Sequence, residues 1–346
     1  MPRLLCTGGL GFLGSHICER FKKRGWEVTA FDNMTKFELS RTGYNTDACR
    51  DYNYNFLNSL GVEIVQGDIT DMDALLKAVG TNCDFIIHTA AQPAITISVD
   101  MPTFDFRNNA MGTLYVLEVC RAHKIPMVNC ATIHVYGNTH INNSLGEGPT
   151  RYVRSPVDIP ESFPIAVGDL TPLHASKIAA DTYVRAYINT YEIKAATFRL
   201  TGLYGPRQFG GEDHGWMANF TIRTLTNKPI TIYGSGKQVR DVLFATDAAW
   251  AFECWYYNQK PGVYNIGGGP KKAISLLECT YILESITGIK PVIEFKEDRI
   301  GDLRYFVCDI TKAQEHIGWD PIVDPRYGLV ELSEWVKENK ELFSGN

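Results

Sequence analysis

A doubly wound parallel α/β sheet with a smaller mixed α/β lobe is the fold this sequence predicts, on three observations. Short apolar or β-branched runs alternate with helical patterns as far as Leu200. Several of those runs are apolar on both faces, as strands covered by helices on both sides must be. A cluster of glycines separates the first run from the first helical pattern. At 346 residues, against about 150 per domain, the chain has room for two domains or for one large unit with a lobe attached.

Strands are expected at Arg3–Thr7, Glu27–Asp32, Glu63–Gly67, Phe85–Thr89, Met127–Ala131 and Ala195–Leu200. Helices are expected at Gly14–Arg24, Asp71–Val79, Thr103–His123 and Leu173–Tyr191, with Thr70 and Asp73 forming a capping box. After Gly205-Pro206 the rhythm changes. A helix near Trp216–Thr226 precedes a strand at Pro229–Gly236, a strand at Arg240–Ala245 and a helix at Thr246–Tyr257. Gly262–Ile266, a helix at Ser275–Thr287, Pro291–Phe295 and a last helix Tyr327–Leu342 complete the chain. The expected division is a larger domain of residues 1–204, rejoined by about 238–260, and a lobe of residues 205–237 and 261–346.

Hydrophobic residues make up 45% of the chain and charged ones 21%, which excludes disorder, collagen-like repeats and coiled coil as descriptions of the whole. With 34 basic against 39 acidic residues and a net charge of −5, a nucleic-acid surface covering the molecule is not expected. No apolar run approaches the roughly 20 residues that span a bilayer, and the first residues turn into glycines too soon for a signal peptide. The nine cysteines show no CxxC pair and no metal-site spacing, so reduced thiols in a cytoplasm, and no metal, are expected.

Thr7-Gly8-Gly9-Leu10-Gly11-Phe12-Leu13-Gly14 ends the first strand and opens the first helix, the context of a Rossmann-type dinucleotide fingerprint. Gly8 permits the tight turn, Gly11 lets a pyrophosphate approach the backbone, and Gly14 allows close helix–strand packing. The helix N-terminus then faces the phosphates with unpaired N–H groups. Asp32 ends the second strand, where its carboxylate suits both ribose hydroxyls and repels a 2′-phosphate, favouring NAD over NADP. Asp68 either contacts the adenine side or is a plain loop aspartate.

Further stretches carry a resemblance: Gly67-Asp68-Ile69, His88-Thr89-Ala90-Ala91-Gln92, Asn109-Ala110-Met111-Gly112-Thr113, Val135-Tyr136-Gly137, Ser176-Lys177, Tyr204-Gly205-Pro206-Arg207-Gln208 and Tyr264-Asn265-Ile266-Gly267-Gly268. In this order, over nearly the whole chain, they resemble the nucleotide-sugar epimerases and dehydratases of the extended short-chain dehydrogenase/reductases. Arg207-Gln208-Phe209, His214-Gly215-Trp216 and the run Gly236-Lys237-Gln238-Val239-Arg240-Asp241-Val242-Leu243 are most similar to the CDP-paratose (CDP-tyvelose) 2-epimerase branch, which implies carbon 2 of a CDP-hexose. The resemblance implies cofactor contacts at Gly8, Gly11, Phe12, Leu13, Gly14, Asp32, Asn33, Asp68, Ile69, Ala90, Ala91, Gln92, Asn109 and Lys177. It implies transient oxidation of the sugar by NAD and a homodimer built on the helices Thr103–His123 and Leu173–Tyr191, unless their apolar residues Leu114, Leu117, Val184 and Ile188 face only the sheet.

The family's chemistry uses a Ser or Thr after the fifth strand and a YxxxK pair. Thr132 falls on the hydroxyl position and Lys177 on the lysine, but Leu173 stands where the tyrosine belongs. Leucine cannot accept a proton. On a helix the residue four before Lys177 lies about 40° around the axis from it and His174, three before, about 60°. His174 is therefore one candidate acid/base, and a helix-capping role is the alternative. His134 is a second candidate, or a merely packed residue. Thr132-Ile133-His134 lacks the carboxylates of the dehydratases. Lys177 itself, or a water it holds, is a third candidate, and an inactive binding protein the remaining reading.

For a diphosphate, Arg240 and Arg304 match the family's phosphate-binding arginines, while Arg207, Gln208 and Gln238 are expected to line the same cleft. For the arginines the alternative is an ion pair. Trp216 either stacks on the base or is core, and Tyr233 is expected in the core. The function that follows is epimerisation of a nucleotide-diphosphate sugar. Another keto-intermediate reaction and redox-inert binding are its rivals.

Overall fold

The computed structural model describes residues 1–35, 39, 41–299 and 301–344. Seven parallel strands form its central sheet in the spatial order Gly262–Ile266, Ala195–Leu200, Met127–Thr132, Phe85–His88, Arg3–Thr7, Glu27–Asp32, Glu63–Gln66. The last six of these are the strands expected from the sequence, with ends displaced by at most a residue. Chain order reverses between Arg3–Thr7 and Phe85–His88, so the loops leaving their carboxyl ends diverge to opposite faces and open a crevice. Both faces are covered. Leu5 and Ile86 look into a core with Val116, Leu117 and Met127, whereas Cys6, Phe85 and Ile87 look into the other with Phe21, Phe198 and Trp255.

The seventh strand changes the expected domain division. Gly262–Ile266, assigned to the lobe from the sequence, pairs in parallel register with Ala195–Leu200 and closes the large sheet. Val239–Phe244, assigned to the large domain, is the spine of the lobe. It runs parallel to Gly202–Tyr204 and Tyr305–Phe306 and antiparallel to Ala273–Ser275. Helix Ala245–Asn258 does belong to the large domain, held to helix Phe12–Lys23 by the Arg20–Glu253 ion pair. Local pattern identifies these strands but not their neighbours, because pairing in a parallel sheet is a long-range choice.

Other differences have local causes. The cap of helix Met72–Val79 is Asp71, whose carboxylate accepts from the Asp73 and Ala74 amides, while the Thr70 hydroxyl donates to Asp68. The stretch read as one helix Thr103–His123 is interrupted by a π-turn at Arg107–Met111 that carries Asn109. An unexpected helix, Thr46–Ser59, is capped by Asn45 and locked to the C-terminal helix Pro325–Glu338, where Trp335 Nε1 donates to the Tyr52 hydroxyl at 3.0 Å. That last helix ends earlier than expected and passes into a 3-10 turn, Lys340–Phe343.

Leu117 and Val184 are fully buried in the sheet-facing cluster, with Leu114 and Ile188 packed against it. The apolar side chains left exposed around the two helices are different ones, Met101, Phe106, Tyr183 and Tyr191.

Candidate active site

The glycine loop is fixed by contacts that admit no side chain. Gly8 has φ +68°, and a Cβ there would lie 2.6 Å from the Ala90 amide nitrogen. A Cβ on Gly14 would lie 2.2 Å from the Gly8 carbonyl oxygen, so this glycine presses helix Phe12–Lys23 onto the loop itself rather than onto a strand. Gly9, passed over in the sequence, packs as tightly against Ala30. No side chain caps the helix at Gly11, which leaves its first N–H groups directed into the crevice.

Both oxygens of Asp32 accept backbone amides, from Leu10 at 3.0 Å and Met34 at 2.8 Å, which pins the carboxylate at the end of its strand. Asn33 donates to Asp68 at 3.1 Å. Burial alone would push the Asp68 carboxyl up, but the bonds from Thr70 and Asn33 hold it below the ordinary value. Ile69 is buried under Gly112. The Ala90 amide reaches the Thr7 hydroxyl at 3.4 Å, and Ala91 continues the same loop. Phe12 and Leu13 open the helix, Phe12 with its ring edge to His16.

Gln92 and Asn109 interlock. The Gln92 amide donates to Asn109 Oδ1 at 2.9 Å, and Asn109 Nδ2 lies 2.9 Å from Asp105 and 3.1 Å from the Ser176 hydroxyl. This network fastens the cofactor-side loop to helix Pro172–Tyr191, one residue before Lys177. Lys177 makes no hydrogen bond or ion pair among the described residues, and burial pulls its ammonium below the ordinary lysine value, with Cys130 and Asp105 acting in the opposite direction. An unpaired ammonium, uncapped helix N–H groups and a glycine cradle at the topological switch point together fit a dinucleotide.

Thr132 ends its strand beside this lysine-bearing helix, and its hydroxyl accepts the His134 amide at 3.2 Å. The His134 and His174 rings lie 5.5 Å apart. Burial, with Arg240 and His174 adding to it, pulls the His134 imidazole down to about 3. Burial also lowers His174, whose Nδ1 accepts the Thr171 amide at 3.0 Å. The helix-capping role is thus real, and it occupies one nitrogen only. Leu173, next to His174 in the chain, is buried, and its side chain offers no polar atom.

On the opposite wall stands Arg240, half-buried, its guanidinium 3.6 Å from Asp302. Gln238 donates to the Tyr233 carbonyl at 2.7 Å and to Asp302 at 3.3 Å. Trp216 opens helix Trp216–Leu225 and, with Arg240, flanks Gly202. Arg304 lies at the rim, paired with Asp298 at 2.8 Å. Arg207 and Gln208 are not in this cleft. Arg207 bonds Glu19 at 2.6 Å and Ser15 at 3.1 Å beneath Phe56, because its φ of +67° turns the side chain back onto the first helix. Gln208 is buried against the Leu203 carbonyl.

Tyr233, expected in the core, ends its strand half-exposed and walls an open cleft of about 860 Å³ with Tyr152 and Phe295. Arg299 lies across its ring, 3.8 Å from the centroid, and 3.5 Å from Asp213. Arg299 was missed in the sequence. Its position three residues before Asp302, the partner of Arg240, was the available signal. Among the described residues no cluster of three or more His, Cys, Asp or Glu could hold a metal, and no helix is long and apolar enough to cross a membrane.

The profile described as "NAD dependent epimerase/dehydratase family" matches residues 4–267. CDP-paratose 2-epimerase of Salmonella typhi is 35% identical over 348 aligned positions, covering 96% of this chain and 99% of that protein. UDP-glucose 4-epimerase of Thermus thermophilus, solved as a complex with NAD, superposes with a TM-score of 0.79 at 29% identity, covering 97% of this chain and 99% of the other. UDP-glucose 4-epimerase of Thermotoga maritima, solved with UDP-glucose, gives 0.79 at 26% identity, covering 98% and 100%.

Proposed function

Since the chain belongs to the NAD dependent epimerase/dehydratase family, and is thereby an NAD-using enzyme of nucleotide-sugar chemistry, we propose that it epimerises one carbon of a nucleotide-diphosphate sugar, carbon 2 of a CDP-hexose by its likeness to the Salmonella enzyme. The observation that carries this reading is the neighbourhood of Thr132, His134 and His174, packed against the helix that bears the unpartnered Lys177.

NAD, when bound, would supply a reversible hydride acceptor for one sugar carbon; the protein's part is to take the hydroxyl proton as the carbonyl forms and to return it to the same oxygen. The residues to hold it are Gly8, Gly11 and Gly14 at the pyrophosphate, Asp32 and Asn33 at the adenosine ribose, Asp68 and Ile69 at the adenine, and Ala90 to Gln92 with Asn109 along the nicotinamide half. Lys177 holds the nicotinamide ribose and keeps positive charge at the reacting centre, which favours release of the hydroxyl proton. Thr132 bonds the reacting oxygen. Arg240, Arg299 and Arg304 surround the diphosphate, and Trp216 and Tyr233 border the base.

We place the enzyme in a reducing cytoplasm, as a homodimer whose contact is formed by the exposed Phe106, Tyr183 and Tyr191 rather than by the inward-facing Leu117 and Val184. Proton NMR of the protein with CDP-, UDP-, GDP- and dTDP-hexoses in heavy water tests the reaction. The expected product is an epimer free of deuterium. A deuterated or dehydrated sugar would move the chain to the keto–enol branch. NAD bound without any product would favour a binding protein, the reading that Leu173 motivates.

A further inference from the structure

The missing phenol leaves two proton-handling tasks, and the two imidazoles differ in which nitrogen is available. We propose that His174 donates a hydrogen bond from Nε2 to the reacting sugar oxygen and that His134 accepts its proton, an assignment that rests on the epimerase reading. A backbone amide can only donate. With the Thr171 N–H directed at His174 Nδ1 at 3.0 Å, that nitrogen holds a lone pair, and the neutral ring carries its hydrogen on Nε2. The Thr171 hydroxyl lies 3.2 Å from the same nitrogen and crowds it further. Protonating Nδ1 would break the N-terminal cap of a 20-residue helix. His174 is therefore a donor and not a base.

His134 is held differently. Its backbone amide is anchored on Thr132 at 3.2 Å, within a single 3-10 turn between buried Ile133 and Val135. Neither of its ring nitrogens has a hydrogen-bond partner among the described residues, and its ring is tilted 33° to that of His174. It stands two residues from Thr132, the hydroxyl that bonds the same sugar oxygen. As the carbonyl forms, the sugar O–H bond breaks and its proton passes to a His134 ring nitrogen. The same proton returns to the oxygen of the epimer, so His134 ends as it began. The charged and titratable groups facing His134 are Arg240, from strand Val239–Phe244, and His174, from the helix opposite. Burial is the larger cause of the lowered His134 imidazole and remains in the complex; a diphosphate arriving at Arg240 offsets only that arginine's share.

Nitrogen-15 spectra of the NAD-bound protein with labelled histidine, together with His134→Gln and His174→Gln, test this. His174 should show the Nε2-protonated tautomer and stay neutral to lower pH than an ordinary histidine. His134→Gln should lower kcat by about 10²- to 10⁴-fold with KM little changed, and added imidazole should restore part of the activity of His134→Ala. His174→Gln should cost about tenfold in kcat, the loss of one hydrogen bond. An Nδ1-protonated His174, a His174 titrating near its ordinary value, or a fully active His134→Gln would overturn the assignment. If the unaltered protein converts no nucleotide sugar, the epimerase reading fails instead, and the tautomer still decides whether His174 is a donor.

Discussion

On the cofactor side of the crevice, the two positively charged or dipolar groups that would meet a ligand have no side-chain partner among the described residues: the uncapped start of helix Phe12–Lys23 and the ammonium of Lys177. On the substrate side each arginine already holds a carboxylate: Arg240 with Asp302, Arg299 with Asp213, Arg304 with Asp298. The first wall is complementary to its ligand before it arrives. The second stores its charge in internal pairs that a diphosphate must displace. A cofactor that stays bound through many turnovers suits the first arrangement. A substrate that must leave after each one suits the second.

Gly14→Val attacks the rigid wall directly and should have the largest effect. The added carbons meet the Gly8 carbonyl, so the purified protein should contain no NAD by absorbance and release assay. A variant that keeps a full equivalent would show that the loop yields more than its contacts suggest.

Acid should also act through the cofactor half. His16 and His88 are buried and pulled to about 3 by burial, His16 with Arg207 adding and His88 with Lys177 adding, against an ordinary 6.5. Below 6.5 the unfolded chain binds protons that the folded one refuses, so stability falls on acidification through that window and is complete above it. At pH 5 the loss is about 2 kcal/mol per histidine. His88→Gln should flatten the pH dependence of Tm, and an unchanged slope would refute the neutral-histidine account.

Arg207→Ala should cost about 2 kcal/mol of stability by removing the buried charged hydrogen bond to Glu19, which then keeps only Lys23, with the KM for the nucleotide sugar unaltered. A raised KM with normal Tm would return Arg207 to the substrate cleft. The smallest effect is expected from Asp302→Asn, which frees Arg240 and should tighten CDP or UDP binding roughly two- to fivefold by calorimetry. Weaker binding would mean that Asp302 aims the arginine and does not compete for it.

The same contrast governs what was readable in the sequence. Gly11 and Gly14 answer to the Gly8 carbonyl within one β-turn-α unit, which spacing can mark, whereas the tightest contact at Gly8 is with Ala90 from the loop after Phe85–His88. Arg207 sits in the family's loop motif, yet its direction is set by a positive φ and by Glu19, far earlier in the chain. No local pattern carries that. Helix Thr46–Ser59 was missed because its Asn- and Asp-rich sequence has weak helical preference, and its contact with Trp335 is made across the fold. His174 showed the opposite limit. Its capping role stands in the sequence as an alternative to catalysis, and the structure assigns Nδ1 to the cap while leaving Nε2 outside it.

Because one edge strand of the large sheet is Gly262–Ile266, the ribosome cannot deliver a finished nucleotide-binding platform until much of the second lobe has been synthesised. The strand beside it, Ala195–Leu200, must wait with one edge unsatisfied while residues 201–261 emerge. Truncation after Leu200 should therefore yield an aggregating fragment and not a miniature NAD-binding protein, and the two halves of the molecule should be inherited together.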